Sequence, residues 1–415
     1  MKKSKEIQSG WAKETKQDYL LKVMLFIISP FISMLYSIKN INTKSSFVVL
    51  YLYCLFFGMS FTTTSGKTDL IRSDSASYRL RFDNWPSYYT VDDYFKGLFG
   101  FFKLDPGSQD YFFETIAFAV TRLTENYHYF FLVIAAIYAF FMLKSLRYLV
   151  TLKEFKVGVV GLILVYFFLD KGIFNINGVR FWTAYWIAIF SLFKIYIDNN
   201  RKYYLLAMIT PFFHGAYWLF FVIVLLHQLF RNKQKIIISF FIFSMFFGLI
   251  SIQFINVISD YLPLVLQKLV SSYTDEEYID LRNVTGGFGW WIKEILTTFK
   301  LFLINLLIYL FILNKNKILN KDKYILTFII LWVAIFNMFI SVPSLGWRFL
   351  PIAYPFIAYL WFKVFGTIRY RYVVLLLPLA FFWDLIDYSR RIGNHIPLDI
   401  FYQSPIILTY KYLII

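Results

Sequence analysis

The sequence predicts an all-α polytopic membrane protein of about 10–12 transmembrane helices, with one broken or re-entrant pair among them. Three observations carry the prediction. Of its 415 residues 59% are hydrophobic and 22% aromatic, whereas a soluble domain is about half apolar. The apolar excess comes as separate runs near the ~20 residues a helix needs to cross a bilayer, not as the short alternating segments of a β-barrel. The lysines and arginines behind the net charge of +17 gather in short stretches between those runs, the positive-inside pattern. Loop charge and anionic lipid account for that excess, so no nucleic-acid partner is expected.

Taken in order, residues 1–44 form a lysine-rich, cytoplasmic-leaning N-terminal segment with one uncertain membrane helix, and 45–415 form the polytopic domain. The first apolar run, Tyr19 to Tyr36, is interrupted by Pro30. It lacks a small-residue cleavage site and reads as retained. If it crosses fully, the lysine-rich end lies outside, against the charge rule; a hairpin kinked at Pro30 keeps it inside. The sequence leaves both open.

A span from Ser45 to Thr63 follows, then an outer loop of about 64–126. This loop is polar and mixed in charge to Asp110, and ends in an interfacial amphipathic stretch, Tyr111 to Thr124. Further spans run from Tyr127 to Leu143, Val157 to Leu169 and Phe181 to Ile197. The stretch from Tyr203 to Leu229 is long for one crossing and short for two. Pro211 and Gly215 interrupt it and both flanks are basic, which favours a broken pair entering and leaving on one side, with His214 at its tip. Spans at Ile236–Ile255, Trp290–Leu313, Tyr324–Ile340, Phe349–Phe365 and Val373–Ile386 complete the chain, with an acidic outer loop at about 256–289. With the basic loops in the cytoplasm, Asp74, Arg180, His214 and Arg348 share the outer side.

Those residues are the candidates for chemistry. Arg180 heads an apolar span, where a guanidinium is expensive unless something uses it. It is either an interfacial anchor or a bidentate phosphate ligand. Arg348, beside Trp347, stands in the same position on a later span, and the same two readings apply. His214 lies where a helix break and a titratable group coincide. It is a general base or phosphate partner, or a histidine bonded between helices. Asp74, within Ser73-Asp74-Ser75-Ala76-Ser77-Tyr78-Arg79, is not distinguished by composition from its acidic neighbours. Trp85, Tyr88 and Tyr89 are either sugar-stacking aromatics or packed loop. The single cysteine, Cys54, excludes an intrachain disulfide, and no HExxH, Walker-type loop, GxSxG elbow or histidine cluster appears. No metal and no cofactor is expected.

Four pieces of the chain together resemble the EpsG family of bacterial exopolysaccharide proteins, related in character to the Wzy polymerases of O-antigen and capsule. They are Asp74 four residues before Tyr78, followed by Glu114 ahead of the next span; Gly178-Val179-Arg180 at a span entry; Phe213-His214-Gly215 after a short helix; and Trp347-Arg348-Phe349 at a late span entry. The likeness covers roughly Ser45 to Ile415. Ser73, Phe181 and the Gly215-Ala216 pair stand where the family often has glycine, glutamine and a nearby serine.

The resemblance implies a GT-C-like helical fold with a wet cavity. It implies a multi-pass protein of the bacterial cytoplasmic (inner) membrane, with its active site facing outward, that polymerises repeat units carried on undecaprenyl diphosphate. The expected partners are lipid-linked oligosaccharide donor and acceptor, membrane lipid, and a possible chain-length regulator. On this reading Arg180, Arg348 and Arg79 bind the diphosphate, and His214 or Asp74 takes the acceptor proton. Transfer is inverting and independent of metal. A flippase or transporter of a lipid-linked or anionic saccharide and a membrane acyltransferase are the alternatives.

Overall fold

The computed structural model describes residues 10–63, 74–103, 105, 110–247, 290–320, 322–342, 344–386, 389 and 396–414, except for the side chains of 86–88, 247 and 290. Among these residues every regular element is helical and no strand occurs. The acidic stretch predicted at 256–289, the end of the predicted span to Ile255, and Asp69 and Arg72 of the first outer loop lie outside the described residues.

The N-terminal segment folds back on itself. Helix α1 (Lys16–Ile28) starts where Thr15 Oγ1 accepts the Asp18 N–H at 3.1 Å. The chain turns at Ser29, whose hydroxyl caps α2 (Pro30–Ile38), with Pro30 at a first-turn position that needs no N–H donor. The two helices run antiparallel: Tyr36 Oη donates to Asp18 at 2.6 Å, and Ser33 Oγ donates to the Lys22 carbonyl at 2.8 Å. Their far ends meet where the Ala12 N–H bonds the Asn42 carbonyl at 3.0 Å. This is a hairpin, one of the two arrangements the sequence left open. The Lys22 ammonium, 1% exposed, fastens it to α3 (Lys44–Met59), donating to Thr43, Ser45 and Ser46 at 2.7–3.0 Å and pairing with Glu14.

The stretch expected to be a polar loop is largely helical. Helices α4 (Asp74–Tyr88) and α5 (Val91–Lys103) lead to α6 (Phe112–Thr121). Tyr78, Phe82 and Trp85 recur at helical spacing on α4 and are buried. The Arg79–Asp83 pair at 3.4 Å and the Arg81–Glu114 pair at 2.5 Å tie α4 to itself and to α6. Average polarity hid this helix because its apolar stripe is narrow. Trp85 and Tyr89 pack ring on ring at 4.0 Å, and the Tyr89 and Tyr111 hydroxyls meet at 2.5 Å, so both belong to the packed outer layer.

The central bundle comprises α7 (Tyr127–Val150), α8 (Val159–Phe168) and α9 (Val179–Leu192), with a π-helical extension of α9 over Phe193–Ile197. Helices α10 (Tyr203–Phe213), α11 (Tyr217–Phe230) and α12 (Gln234–Phe247) follow, then α13 (Trp290–Leu313), α14 (Lys323–Met338), α15 (Gly346–Phe349) and α16 (Tyr354–Val364). The predicted break falls at His214 to Ala216, between α10 and α11. Among the described residues two helices, Tyr127–Val150 and Trp291–Leu313, are long and apolar enough to cross a membrane by themselves. Ile27, Leu229, Phe246 and Phe302 are among the large apolar side chains exposed on the helices, a surface suited to lipid. The core is aromatic: Trp186, Trp332 and Trp361 are fully buried, and their indoles pack among phenylalanines.

Candidate functional site

The first turn of α9 carries Arg180 at the apolar rim of the bundle. Gly178 precedes it, and Trp182 packs so closely that a Cβ on Gly178 would lie 2.5 Å from its Cδ1. Arg180 is held from two sides. Its Nε donates to Tyr78 Oη at 2.9 Å, and its Nη1 donates to Asp110 Oδ1 and Oδ2 at 2.9 and 3.1 Å. Asp110 also accepts the Gly215 N–H at 3.4 Å, so one carboxylate joins the α9 arginine to the α10–α11 break. The pair is unequal in exposure: the side chain of Asp110 is 4% exposed and that of Arg180 31%. Burial pushes the Asp110 carboxyl above the ordinary carboxylate range, while Arg180 and the Gly215 N–H pull it back. Nη2 of Arg180 makes no hydrogen bond to the described residues.

His214 ends α10 in an extended conformation, and its Nδ1 accepts the Ala216 N–H at 3.2 Å. Because a backbone N–H can only donate, a neutral imidazole here carries its proton on Nε2. The Phe181 ring is the hub of the group. His214 stands edge-on to it at 5.1 Å between centroids, Tyr217 and Phe349 lie at 5.1 Å, and the Arg348 guanidinium lies 5.4 Å from it. That last distance is within cation–π range. Both Arg180 and Arg348 are near enough for their charges to act on the His214 imidazole.

Arg348 sits in the short helix α15, whose start packs so tightly that a Cβ on Gly346 would meet the Phe339 carbonyl oxygen at 2.5 Å. The Trp332 Nε1–H holds the Phe349 carbonyl at 2.9 Å, and the Tyr185 hydroxyl holds that of Pro351 at 2.9 Å. Among the described residues Arg348 makes no hydrogen bond or ion pair.

Three of the sequence candidates, Arg180, His214 and Arg348, therefore come together around Phe181. Asp74 heads α4, exposed and one turn from Tyr78, the hydroxyl that Arg180 grips. Arg79 is not brought to the group. It donates to the Thr63 carbonyl at 2.6 Å, pairs with Asp83 and covers the Tyr127 ring at 4.1 Å. Asp110 is the residue that sequence reasoning missed. The available signal was its place as the last acid before the apolar α6, the same depth argument that singled out Arg180. Of the other histidines, His128 donates from Nδ1 to the Met59 carbonyl at 2.7 Å, and His227 is satisfied by Tyr196 and Thr327 at 2.7 and 2.9 Å. His395 lies outside the described residues.

The EpsG family matches residues 75–392, a span that takes in Arg79, Asp110, Arg180, His214 and Arg348 and begins one residue after Asp74. No curated protein and no solved structure matches the chain. With most of its length inside that match, the chain belongs to the EpsG family, membrane proteins that form a Wzy-like family of polysaccharide polymerases.

Proposed function

We propose that the protein polymerises lipid-linked polysaccharide repeat units at the outer face of the bacterial cytoplasmic membrane, using an undecaprenyl-diphosphate-linked donor. The observation that carries this is the guanidinium of Arg348, unpaired among the described residues and set on the Phe181 ring beside His214 and one residue from Arg180. A cation in an aromatic shell with no counter-charge is costly unless an anionic ligand completes it.

In this reading Arg348 and the free donors of Arg180 hold the diphosphate, and Asp110 and Tyr78 fix the Arg180 plane. The His214 Nε2–H donates to a leaving-group oxygen. The acceptor hydroxyl oxygen attacks the anomeric carbon, and the bond from that carbon to the diphosphate oxygen breaks with its electron pair on the diphosphate. The hydroxyl proton passes to Asp74, exposed one turn above Tyr78. Displacement in one step inverts the anomeric centre. Two guanidiniums meet the charge developing on the diphosphate, so polymer formation persists in EDTA.

The membrane arrangement follows from charge. The N-terminal hairpin returns Ala12, the neighbour of Lys13, to Asn42, between Lys39 and Lys44 in the chain. With the basic turns inside, both ends of the α10–α11 pair lie at the cytoplasmic side and His214 at its apex.

The test is complementation of a host strain lacking this protein with Arg180→Ala, Arg348→Ala, His214→Ala and Asp74→Asn, reading the surface glycan as a gel ladder and each variant's level in the membrane. Folded variants that accumulate single repeat units on the lipid, with no ladder, support the polymerase. Long polymer in all four variants would overturn the site. Lipid-linked units trapped inside the cell in the deleted strain would make the protein a flippase.

A further inference from the structure

Helix α5 (Val91–Lys103) has three faces, and the transfer chemistry above uses none of them. At ~100° per residue, Tyr94, Gly97, Gly100 and Phe101 fall together and pack on protein. Tyr94 stacks on Phe118 at 4.4 Å, and its carbonyl accepts the Tyr111 hydroxyl at 2.7 Å. Gly97 leaves room for the Tyr111 ring, and Phe101 meets the Phe212 ring at 5.5 Å. The Phe212 carbonyl accepts the Tyr111 N–H at 2.9 Å, so Tyr111 ties α5 to the end of α10.

The second face is apolar and open. Val91, Phe95, Leu98, Phe99 and Phe102 fill an arc of about 100°. Val91, Phe95, Phe99 and Phe102 are 48–69% exposed. Among the described residues the ring contacts of Phe95 and Phe102 are with their chain neighbours Tyr94 and Phe101, and Phe99 has none. The third face is polar. Asp92, Asp93, Lys96 and Lys103 are exposed on it, and Asp93 accepts the Thr90 N–H at 3.0 Å.

Three observations say what covers the apolar face. It continues a second apolar surface: Leu205, Met208 and Ile209 of α10 are exposed at helical spacing, and their stripe leads through Phe212 to Phe101. On a helix of a membrane protein such a stripe suits lipid. No side chain within the arc can donate or accept a hydrogen bond, whereas a protein interface carries about one per 100–200 Å². Asp92, Lys96 and Lys103 border the arc, and lysines at that edge reach from an apolar layer into head groups. Two lysines against two aspartates give the helix no net charge, so the fit is to acyl chains and not to an anionic surface. Helix α6, where the sequence placed the interfacial stretch, is instead packed among α4, α5, α7, α9 and α10, with Phe112, Phe113, Ala117 and Val120 buried.

We infer that α5 is a membrane-surface helix: Val91, Phe95, Leu98, Phe99 and Phe102 rest on phospholipid acyl chains at the head-group boundary, while Lys96 and Lys103 stay in the polar layer. Through Phe101 and Tyr111 it fastens the end of α10, and the neighbouring His214, to that boundary. The inference needs the membrane and not the polymerase chemistry.

The test uses the full-length Cys54→Ala protein in phosphatidylcholine nanodiscs, with a bimane label on one introduced cysteine at a time. One quencher is phosphatidylcholine spin-labelled on its acyl chain, and the other is iodide in the water. Phe99→Cys should be quenched by the lipid at least about half as strongly as Phe302→Cys, an exposed position on α13, and little by iodide. Lys96→Cys should show the reverse. Iodide quenching at Phe99→Cys equal to that at Lys96→Cys would put the face in water and overturn the inference. Quenching by neither would mean that a second copy or another part of the chain covers the face, and would overturn it too. Equal lipid quenching at Lys96→Cys would make α5 a helix immersed in lipid and end its role at the boundary. Loss of lipid quenching at Phe99→Cys on adding bare undecaprenyl diphosphate would give the face to a polyprenyl chain and overturn phospholipid as its occupant. Where Phe99→Cys is not monodisperse, Phe95→Cys and Phe102→Cys carry the same test with the same outcomes.

Discussion

Arg180 and Arg348 differ in what already holds them, and that difference predicts different mutational behaviour. Arg180 is positioned by Asp110 and Tyr78, whereas among the described residues Arg348 rests on an aromatic face alone. Arg348→Ala should lower polymer formation at least ~100-fold, about 2.7 kcal/mol of transition-state stabilisation. Arg348→Lys should recover part of it, because an ammonium supplies the charge without the fork. Asp110→Asn should cost ~10-fold by loosening Arg180. In a double-mutant cycle it should add little to Arg180→Ala, since the carboxylate acts through that guanidinium. Initial rates on extracted lipid-linked repeat units check all three, and full additivity of Asp110→Asn with Arg180→Ala would separate Asp110 from Arg180.

Elements explain which parts of this arrangement were legible in the sequence. The break at His214 was visible because Pro211 and Gly215 interrupt an apolar run, and the turn near Pro30 for the same reason. Whether α1 and α2 cross or fold back was not visible, because the deciding contacts, Asp18–Tyr36 and Lys22–Ser33, bring together residues whose apolar pattern fits either course. The importance of Asp110 depends on a partner 70 residues away, which no local pattern encodes.

Two predictions belong to this scale. Gly346→Ala should drive a Cβ against backbone at Phe339 and Ile340, shift α15, cost about 1–3 kcal/mol and weaken the ladder, whereas Gly158→Ala, with open space around it, should do neither. Lys22→Met strands Glu14 and the hydroxyls of Thr43, Ser45 and Ser46. It should cost about 1–3 kcal/mol of stability, read as detergent-solubilised melting, while the protein that survives keeps wild-type activity per molecule.

For the whole molecule the governing quantity is sidedness, because a site for lipid-linked sugars works only on the face where they are presented. The proposed sidedness rests on the hairpin, the basic turns and the proposed apex position of His214, and single-cysteine labelling tests it as a unit. Cys54 is buried and is the single native cysteine, so Cys54→Ala gives a clean background. Leu123 is 88% exposed between α6 and α7, on the same rim as Arg180, and Leu123→Cys should react with a membrane-impermeant maleimide in intact cells. Lys13→Cys, Lys153→Cys and Ile368→Cys, at exposed positions beside the hairpin ends and in two basic turns, should react only after the membrane is opened. Labelling of Lys13→Cys alone in intact cells would mean that the N-terminal hairpin reaches the outer face. Labelling of Lys153→Cys and Ile368→Cys, with Leu123→Cys protected, would invert the whole bundle, put Arg180, His214 and Arg348 at the cytoplasmic surface, and end the case for polymerisation outside.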